Sequence, residues 1–423
     1  MTRPIRSHFF NAAWFYGAGI VLAIGMILGQ PALSLLAALV YVTAGLSWLW
    51  ARHALDGLHY SRKLSETRAF RGDVLTVFFT LENRSWLPLA WVEIDEHVSD
   101  RVRALNVTRL PSDRLGTRLL RHTTPMRWKY RISWSTELEC LERGDHQIGP
   151  VTIRSGDPFG FFTRQTTVHD IESFLVYPDV LPIPELDIPP DFPFGLTRVN
   201  HHLLTDPARV IGVRAYTPDD STRHIHWKAT ARLQEPYVKV FEPTVDLQVG
   251  IFLNLDTFER YWEGMDFRRS ESGIVAAASI AHHLIAERSI VGLAANAVVA
   301  GSDQNLRIPP GRDARQRTSI LEGLARLQPM AISSFPRLLA SAARDYPAGS
   351  TIIVIACIMT EPLEIAMQSA IERGHRVMLM RIGEVPVPNL PRLAVASLPD
   401  DLAHRDRTTR HRYARTVQSG MVN

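Results

Sequence analysis

Residues 14–50 contain no Asp, Glu, Lys or Arg and are mostly Ala, Leu, Ile, Val and Gly. Nothing else in the chain limits its folding as much. A membrane-spanning helix needs about 20 consecutive apolar residues, so the stretch is long enough for two. Gly29, Gln30 and Pro31 supply a turn in its middle, which predicts a helical hairpin with spans near 12–29 and 32–50. Trp14, Tyr16, Trp48 and Trp50 lie at the outer edges, where amphipathic rings favour the headgroup level. A re-entrant helical pair is the alternative reading. A cleaved signal peptide does not fit, because the apolar region is too long and no cleavage pattern follows. Arg3 and Arg6 precede the hairpin, Arg52, Arg62, Lys63, Arg68 and Arg71 follow it, and the turn is uncharged. The excess of basic residues on the cytoplasmic side of membrane proteins then places both ends in the cytoplasm. The expectation is a multi-pass protein of a bacterial inner membrane whose soluble domains face the cytoplasm.

The chain has 423 residues, room for two or three domains. With 46% hydrophobic and 21% charged residues it is globular rather than disordered. A net charge of +4 is mild for this length and gives no case for nucleic acid. Cys140 and Cys357 stand far apart in apolar surroundings, which suits a reducing compartment and no disulfide framework.

Five segments follow from pattern. Residues 1–55 are the anchor. Residues 56–180 read as an all-β sandwich, with alternating runs at 74–81, 89–94 and 128–134. In it, Arg143-Gly144 and Gly149-Pro150 bracket a hairpin. Asp157 to Phe161 form a tight turn whose two phenylalanines plug the interior. Residues 181–245 hold a proline-rich linker and a dense polar motif. Residues 246–385 alternate buried strands (248–255, 291–295, 351–357, 376–380) with helices (272–288, 313–327, 337–344, 362–373), which implies a mainly parallel sheet with helices on both faces. Residues 386–423 are a polar basic tail carrying Arg405, Arg407, Arg410, Arg412 and Arg415.

The polar motif spans residues 214–242. It opens on turn chemistry at Thr217, Pro218, Asp219 and Asp220. It continues through a short helical spacing of Ile225, Ala229 and Leu233, and closes on a strand at 237–241. Arg214, Tyr216, Pro218, Asp220, Arg223, Ile225, Trp227, Lys228, Ala231, Arg232, Tyr237, Val238 and Lys239 together resemble the signature of the bacterial domain-of-unknown-function 58 family (DUF58). The resemblance implies a von Willebrand factor A-like (Rossmann-like) α/β domain after the motif. It also implies a partner class, MoxR-type AAA+ ATPases.

Such domains can hold Mg²⁺ above the sheet, on an Asp at the end of the first strand and hydroxyls two and four residues on. Here Asp256 stands at that strand end, but Phe258 and Arg260 follow, and Ile358, Met359 and Thr360 stand where a second acidic ligand is expected. Oxygen ligands suit Mg²⁺ and these positions lack them, so the metal position is degenerate. Within the motif, Asp219 and Asp220 read as turn carboxylates for Arg214, Arg223 or Arg232. His224 and His226 face one side if the chain is extended. Trp227 and Tyr237 pack against the sheet, and Lys228 and Lys239 are free to meet an acidic partner. No phosphate-binding loop, nucleophile elbow or zinc-protease helix occurs. The reading is therefore a scaffold or adaptor without cofactor and not an enzyme. It is held by the membrane lipid bilayer, works with a MoxR-type ATPase in complex assembly or envelope maintenance, and docks through the motif (Arg214, Tyr216, Pro218, Asp219, Asp220, Arg223, His226, Trp227, Lys228, Arg232, Tyr237, Lys239). The rival is a metal-dependent binder or enzyme built on Asp219, Asp220, His224 and His226.

Overall fold

The computed structural model describes residues 6–7, 12–186, 205–217, 220–243 and 248–404. The chain divides into two compact units, one covering Met1–Asp179 and the other essentially Val180–Arg405, with Leu324–Leu327 assigned to the first.

The first unit begins with β1 (Arg6–Ser7) and then two helices, α1 (Ala12–Ile27) and α2 (Pro31–His53). Gly29 takes φ +62° in the turn between them, a conformation that glycine adopts at no steric cost. The 16 and 23 residues of the helices give lengths of about 24 and 35 Å at 1.5 Å per residue. Among the described residues α2 is the one helix long and apolar enough to cross a membrane, and α1 is shorter. The two pack through small side chains. Ala37, Ala44, Ser47 and Ala51 are the buried residues of α2, and a Cβ on Gly19 would come within 2.6 Å of the Tyr41 hydroxyl. Ile27, Leu28, Leu35, Leu36, Leu39 and Leu46 point outward. A helix pair in water buries its large apolar residues; this one buries its small ones.

After α2 come β2 (Leu58–Leu64), β3 (Arg68–Phe70), β4 (Val74–Asn83), β5 (Leu89–Ser99), β6 (Val102–Ala104), β7 (Arg109–Pro111), β8 (Thr117–Met126), β9 (Tyr130–Cys140), β10 (Gly144–Gly156), β11 (Phe162–Val168) and β12 (Glu172–Tyr177). They form the expected sandwich. One sheet runs β2-β4-β9-β6; the other runs β1-β11-β10-β5-β8-β7, with β12 between β10 and β3. Alternation makes the core: Leu75, Val77, Phe79 and Leu81 of β4 are buried while their neighbours are not. β1 pairs with β11, so the chain leaves the sandwich for α1 and returns to it from α2. That places both ends of the helical pair on one side.

Three features of the sandwich differ from the sequence expectation. Gly144, Gly149 and Pro150 lie within one strand, β10, not around a hairpin. The strand is bulged between Ile148 and Val151 against β5, because Gly149, at φ +105°, lies so close to the Asp170 carbonyl that a Cβ would fall 2.2 Å from it. Trp128 precedes β9 in an exposed turn instead of belonging to the strand. Phe159 is 67% exposed and stacks on Phe161 at 5.6 Å rather than plugging the core.

The second unit holds an arm, described below, and an α/β layer. The layer comprises β15 (Gln248–Leu253), α4 (Phe267–Ala286), β16 (Ile290–Val299), β17 (Asn305–Gly311), α5 (Ala314–Arg326), β18 (Leu327–Ala331), α6 (Phe335–Ala342), β19 (Thr351–Ala356), α7 (Glu361–Glu372), β20 (Arg376–Ile382) and β21 (Ala394–Leu398). The arm supplies the intervening β13 (Thr205–Ala215), α3 (Trp227–Leu233) and β14 (Tyr237–Pro243). Sheet order is β17-β16-β15-β19-β20-β21, parallel except for β17. The first strand is central, so the sheet is doubly wound. Helices cover both faces: α6 and α7 pack on Phe252, Ile352, Val354 and Leu379. On the other face, Gly273 of α4 sits against Ile382, Leu253 and Ile355. The expected tail boundary at 386 moves later. β21 extends the sheet, and Leu402 and Ala403 are buried, since β20 needs a pairing partner on its open edge. The basic residues from Arg405 onward lie outside the described residues.

Candidate functional site

β13 and β14 form a two-stranded antiparallel arm, with Arg214 opposite Val238 and Ala215 opposite Tyr237. The segment between them is wired by hydrogen bonds. Arg214 Nη1 donates to Asp220 Oδ2 at 2.7 Å, and Nη2 donates to Oδ1, a bidentate pair. Thr217 donates to the same carboxylate from its backbone N–H at 2.9 Å and its hydroxyl at 2.8 Å. These donors, Arg214 first, hold the Asp220 carboxyl far below the usual carboxylate range. Asp220 is therefore a permanent anion fastening the turn and is unsuited to proton transfer at neutral pH. Pro218 and Asp219 lie outside the described residues.

His226 caps α3: its Nδ1 accepts from Ala229 N–H at 3.0 Å, and its backbone N–H donates to Tyr237 O at 2.8 Å. Gln234 closes the helix in the left-handed conformation, φ +57°, and Thr230 Oγ1 accepts from Tyr237 N–H. His224 ends a 3-10 turn (Thr222–His224), so the two histidines are not the extended pair expected. Turning and capping use short polar side chains locally, and the imidazole is spent on the helix. Among the described residues no three His, Cys, Asp or Glu side chains gather as for a metal.

Trp227 is the larger departure. Expected to pack against the sheet, it is 72% exposed on the first turn of α3. Val238 alone is buried among the arm's residues from 212 to 239 whose burial is described; Tyr216 and Tyr237 are half-buried. Arg223, Lys228 and Arg232 are exposed. Isolated two-stranded hairpins are marginal in water; this one is held by polar bonds and presents an aromatic ring among cations.

At the carboxyl end of β15, Asp256 does not offer an open donor. Its Oδ2 accepts from Asn296 Nδ2 at 2.9 Å, and its N–H donates to Asn254 Oδ1 at 3.0 Å. Burial pushes its carboxyl up and the Asn296 bond pulls it back. Asn296, fully buried, also donates to Asn254 Oδ1 and accepts from Leu255 N–H. Arg260 lies over the Trp262 ring at 5.6 Å, and Thr360 O accepts from Leu363 and Glu364 at the start of α7. The oxygens that a hard cation needs are turned to internal donors, so these residues do not fit a Mg²⁺ site. The asparagine clamp escaped the sequence reading, although an asparagine inside the apolar run 291–299 is its visible signal.

A family model described as "Protein of unknown function DUF58" matches residues 212–419. The uncharacterized protein YeaD of Bacillus subtilis (strain 168) is 26% identical over 262 residues, 61% of this chain and 60% of that protein. The match thus spans about 60% of the relative's length. The VWA domain of SpRpn10 overlays with TM-score 0.25 at 14% identity, over 38% of this chain and 96% of that one. A CARDB domain from Pyrococcus furiosus overlays at 0.19 and 10% identity, over 28% of this chain and 91% of that one. A β-glucosidase from Listeria innocua gives 0.19 and 15% identity, over 28% of this chain and 16% of that one. Overlays this low carry no argument about activity. The match at 212–419 begins within β13 and takes in the rest of the arm and the whole α/β sheet; through that region the chain is similar to the DUF58 family.

Proposed function

We propose that the chain is a membrane-anchored scaffold or adaptor that docks a partner through the arm. The partner class is a MoxR-type AAA+ ATPase acting in complex assembly or envelope maintenance. In this reading α1 and α2 form a hairpin in a bacterial inner membrane and the soluble units lie in the cytoplasm. The carrying observation is Trp227, exposed among Arg223, Lys228 and Arg232 on an arm where Val238 alone is buried among the residues from 212 to 239 whose burial is described. Exposed Trp and Arg are the residue types that most often dominate binding energy at interfaces. The outward apolar residues of α2 and the inward small ones support the membrane part, since helices in lipid pack through small residues. The cations of the arm favour an acidic docking surface.

The test uses the full chain in native membranes, carrying a photo-crosslinker at Lys228 and compared with Trp227→Ala and with Asp220→Ala/Arg223→Ala. An AAA+ ATPase captured by the parent and lost in both variants is the expected result. Capture that persists in both variants removes the arm from the reading, and absence of any ATPase removes the adaptor.

A further inference from the structure

The sandwich has two ends, and they differ. At the end next to α2, three connections carry aromatic rings into solvent: Trp86 between β4 and β5 (81% exposed), Trp128 between β8 and β9 (61%), and Phe159 between β10 and β11 (67%). Pairing puts them together. Asn83 at the end of β4 lies opposite both Leu58, the start of β2, and Tyr130, the start of β9. Buried Asn83 donates to both Leu87 O and Arg127 O, tying two of the turns. The joint to the helix is close: Arg84 N–H donates to Gly57 O at 2.8 Å, and Arg164 Nη1 donates to Arg52 O and to Asp56 Oδ1.

Where α2 ends, Arg52 lies over the Trp48 ring at 5.2 Å. Trp50 then forms one wall of an open cleft of about 680 Å³, whose other walls include Leu89, Met126, Arg127 and Pro158. Within the first two turns and their flanks, residues 82–88 and 127–131, stand four cations (Arg84, Arg127, Lys129, Arg131) and one carboxylate, Glu82. Glu82 is occupied by Arg84 and Arg131.

We infer that this end of the sandwich is a membrane-interface sole, and that the cleft beside Trp50 takes an anionic phospholipid of the bilayer that α2 crosses. The inference rests on the membrane reading of α2 but not on the adaptor reading. Exposed Trp, Tyr and Phe rings on turns that the fold brings beside the end of a spanning helix lie at headgroup depth, where such rings are favoured. Arg127 and Lys129, without ion-pair partners among the described residues, face a surface of opposite charge, which attracts basic residues close to it. The cleft has the size of small-molecule sites, largely apolar walls with Arg127 as their one charged side chain, and continues the lipid-facing surface of α2. The opposite end provides the control. Leu115, between β7 and β8, is fully exposed, and the ten-residue β8 separates it from Trp128 by roughly 30 Å.

The test is depth-dependent fluorescence quenching of the full chain in nanodiscs. Single cysteines replace Trp86, Trp128, Phe159 or Leu115 and carry an environment-sensitive dye; Cys140 and Cys357 are buried and stay unlabelled. The discs are phosphatidylcholine with or without phosphatidylglycerol, and the quencher is a shallow spin-labelled lipid. Quenching at 86, 128 and 159 but not at 115 is expected. Native mass spectrometry of the detergent-solubilised chain reads the second half. Retained phosphatidylglycerol falls roughly tenfold in Arg127→Gln/Lys129→Gln while phosphatidylcholine does not. Equal signals at all four positions overturn the sole, and unchanged phosphatidylglycerol in the folded double variant overturns the anionic cleft. A chain released from membranes by alkaline carbonate overturns the membrane reading itself, a failure distinct from either.

Discussion

Arg62 in the sandwich and Arg214 in the arm each hold a carboxylate, in opposite surroundings. Arg62 is wholly buried. It donates to Glu96, lies near Asp170 and Glu172, and shares Glu96 with the Tyr60 hydroxyl. Burial pushes Glu96 up to about 7 against the pull of Arg62 and Tyr60, and pushes the Tyr60 phenol up as well. Arg214 is half exposed, and its partner Asp220 moves the other way. One pair of groups is thus an interior brace carrying the desolvation cost of charge, and the other is a solvated clasp. Solvent exposure, more than partner identity, decides what such a pair contributes.

The largest effect expected on either side is at Arg62. Arg62→Met leaves three carboxylates without their cation and should cost the first unit about 3–5 kcal/mol, read by calorimetry of the solubilised chain. A loss below about 1 kcal/mol would make the interior pair no more important than a surface one.

Glu96 sharpens the contrast through pH. Its carboxyl sits at about 7 when folded and at an ordinary 4.5 when unfolded, so the folded unit holds this proton more tightly. Its stabilising share is fully present below pH 4.5 and is lost as pH rises through 7. Glu96→Gln should flatten the pH dependence of unfolding in that window; a slope that survives assigns it elsewhere. Asp220 has the reverse sign. Its contribution holds above the ordinary carboxylate range and fades only as pH falls toward its depressed value, so the arm should keep its hydrogen-exchange protection from pH 4 to 8.

Smaller effects belong to the α/β layer and the arm. Asn296→Ala should cost about 1–3 kcal/mol by orphaning Leu255 N–H and Asp256, measured as a lowered unfolding midpoint. His226→Ala should loosen α3 by about 1 kcal/mol, seen as faster amide exchange at Ala229. Trp227→Ala should leave unfolding within about 0.5 kcal/mol of the parent while abolishing capture. A large destabilisation there would mean that the ring is covered by this chain after all.

Much of the architecture is legible in the residues. Gly29, Gln30 and Pro31 mark the hairpin turn, alternation marks β4, and β-branched runs mark β19. Short edge strands such as β7, β17 and β21 escaped, because their pairing partners rather than their own pattern stabilise them. In the motif, the turn at Thr217 and Asp220, the helix and the closing strand were readable. The cap at His226 was not, because imidazole is an uncommon cap and its use depends on where Tyr237 returns.

The order of apolar helical pair, β-rich segment, polar motif and α/β layer is written locally, since periodicity, turn residues and apolar length act over a few neighbours. Which aromatic side chains lie inside depends on long-range packing. Trp128, Phe159 and Trp227 read as core residues and lie outside, whereas Phe79, Trp134 and His122 stack together within or against the sandwich. Burial requires surface brought from distant parts of the chain: β4 meets β9 across some fifty residues of sequence. No local pattern records whether that surface arrives.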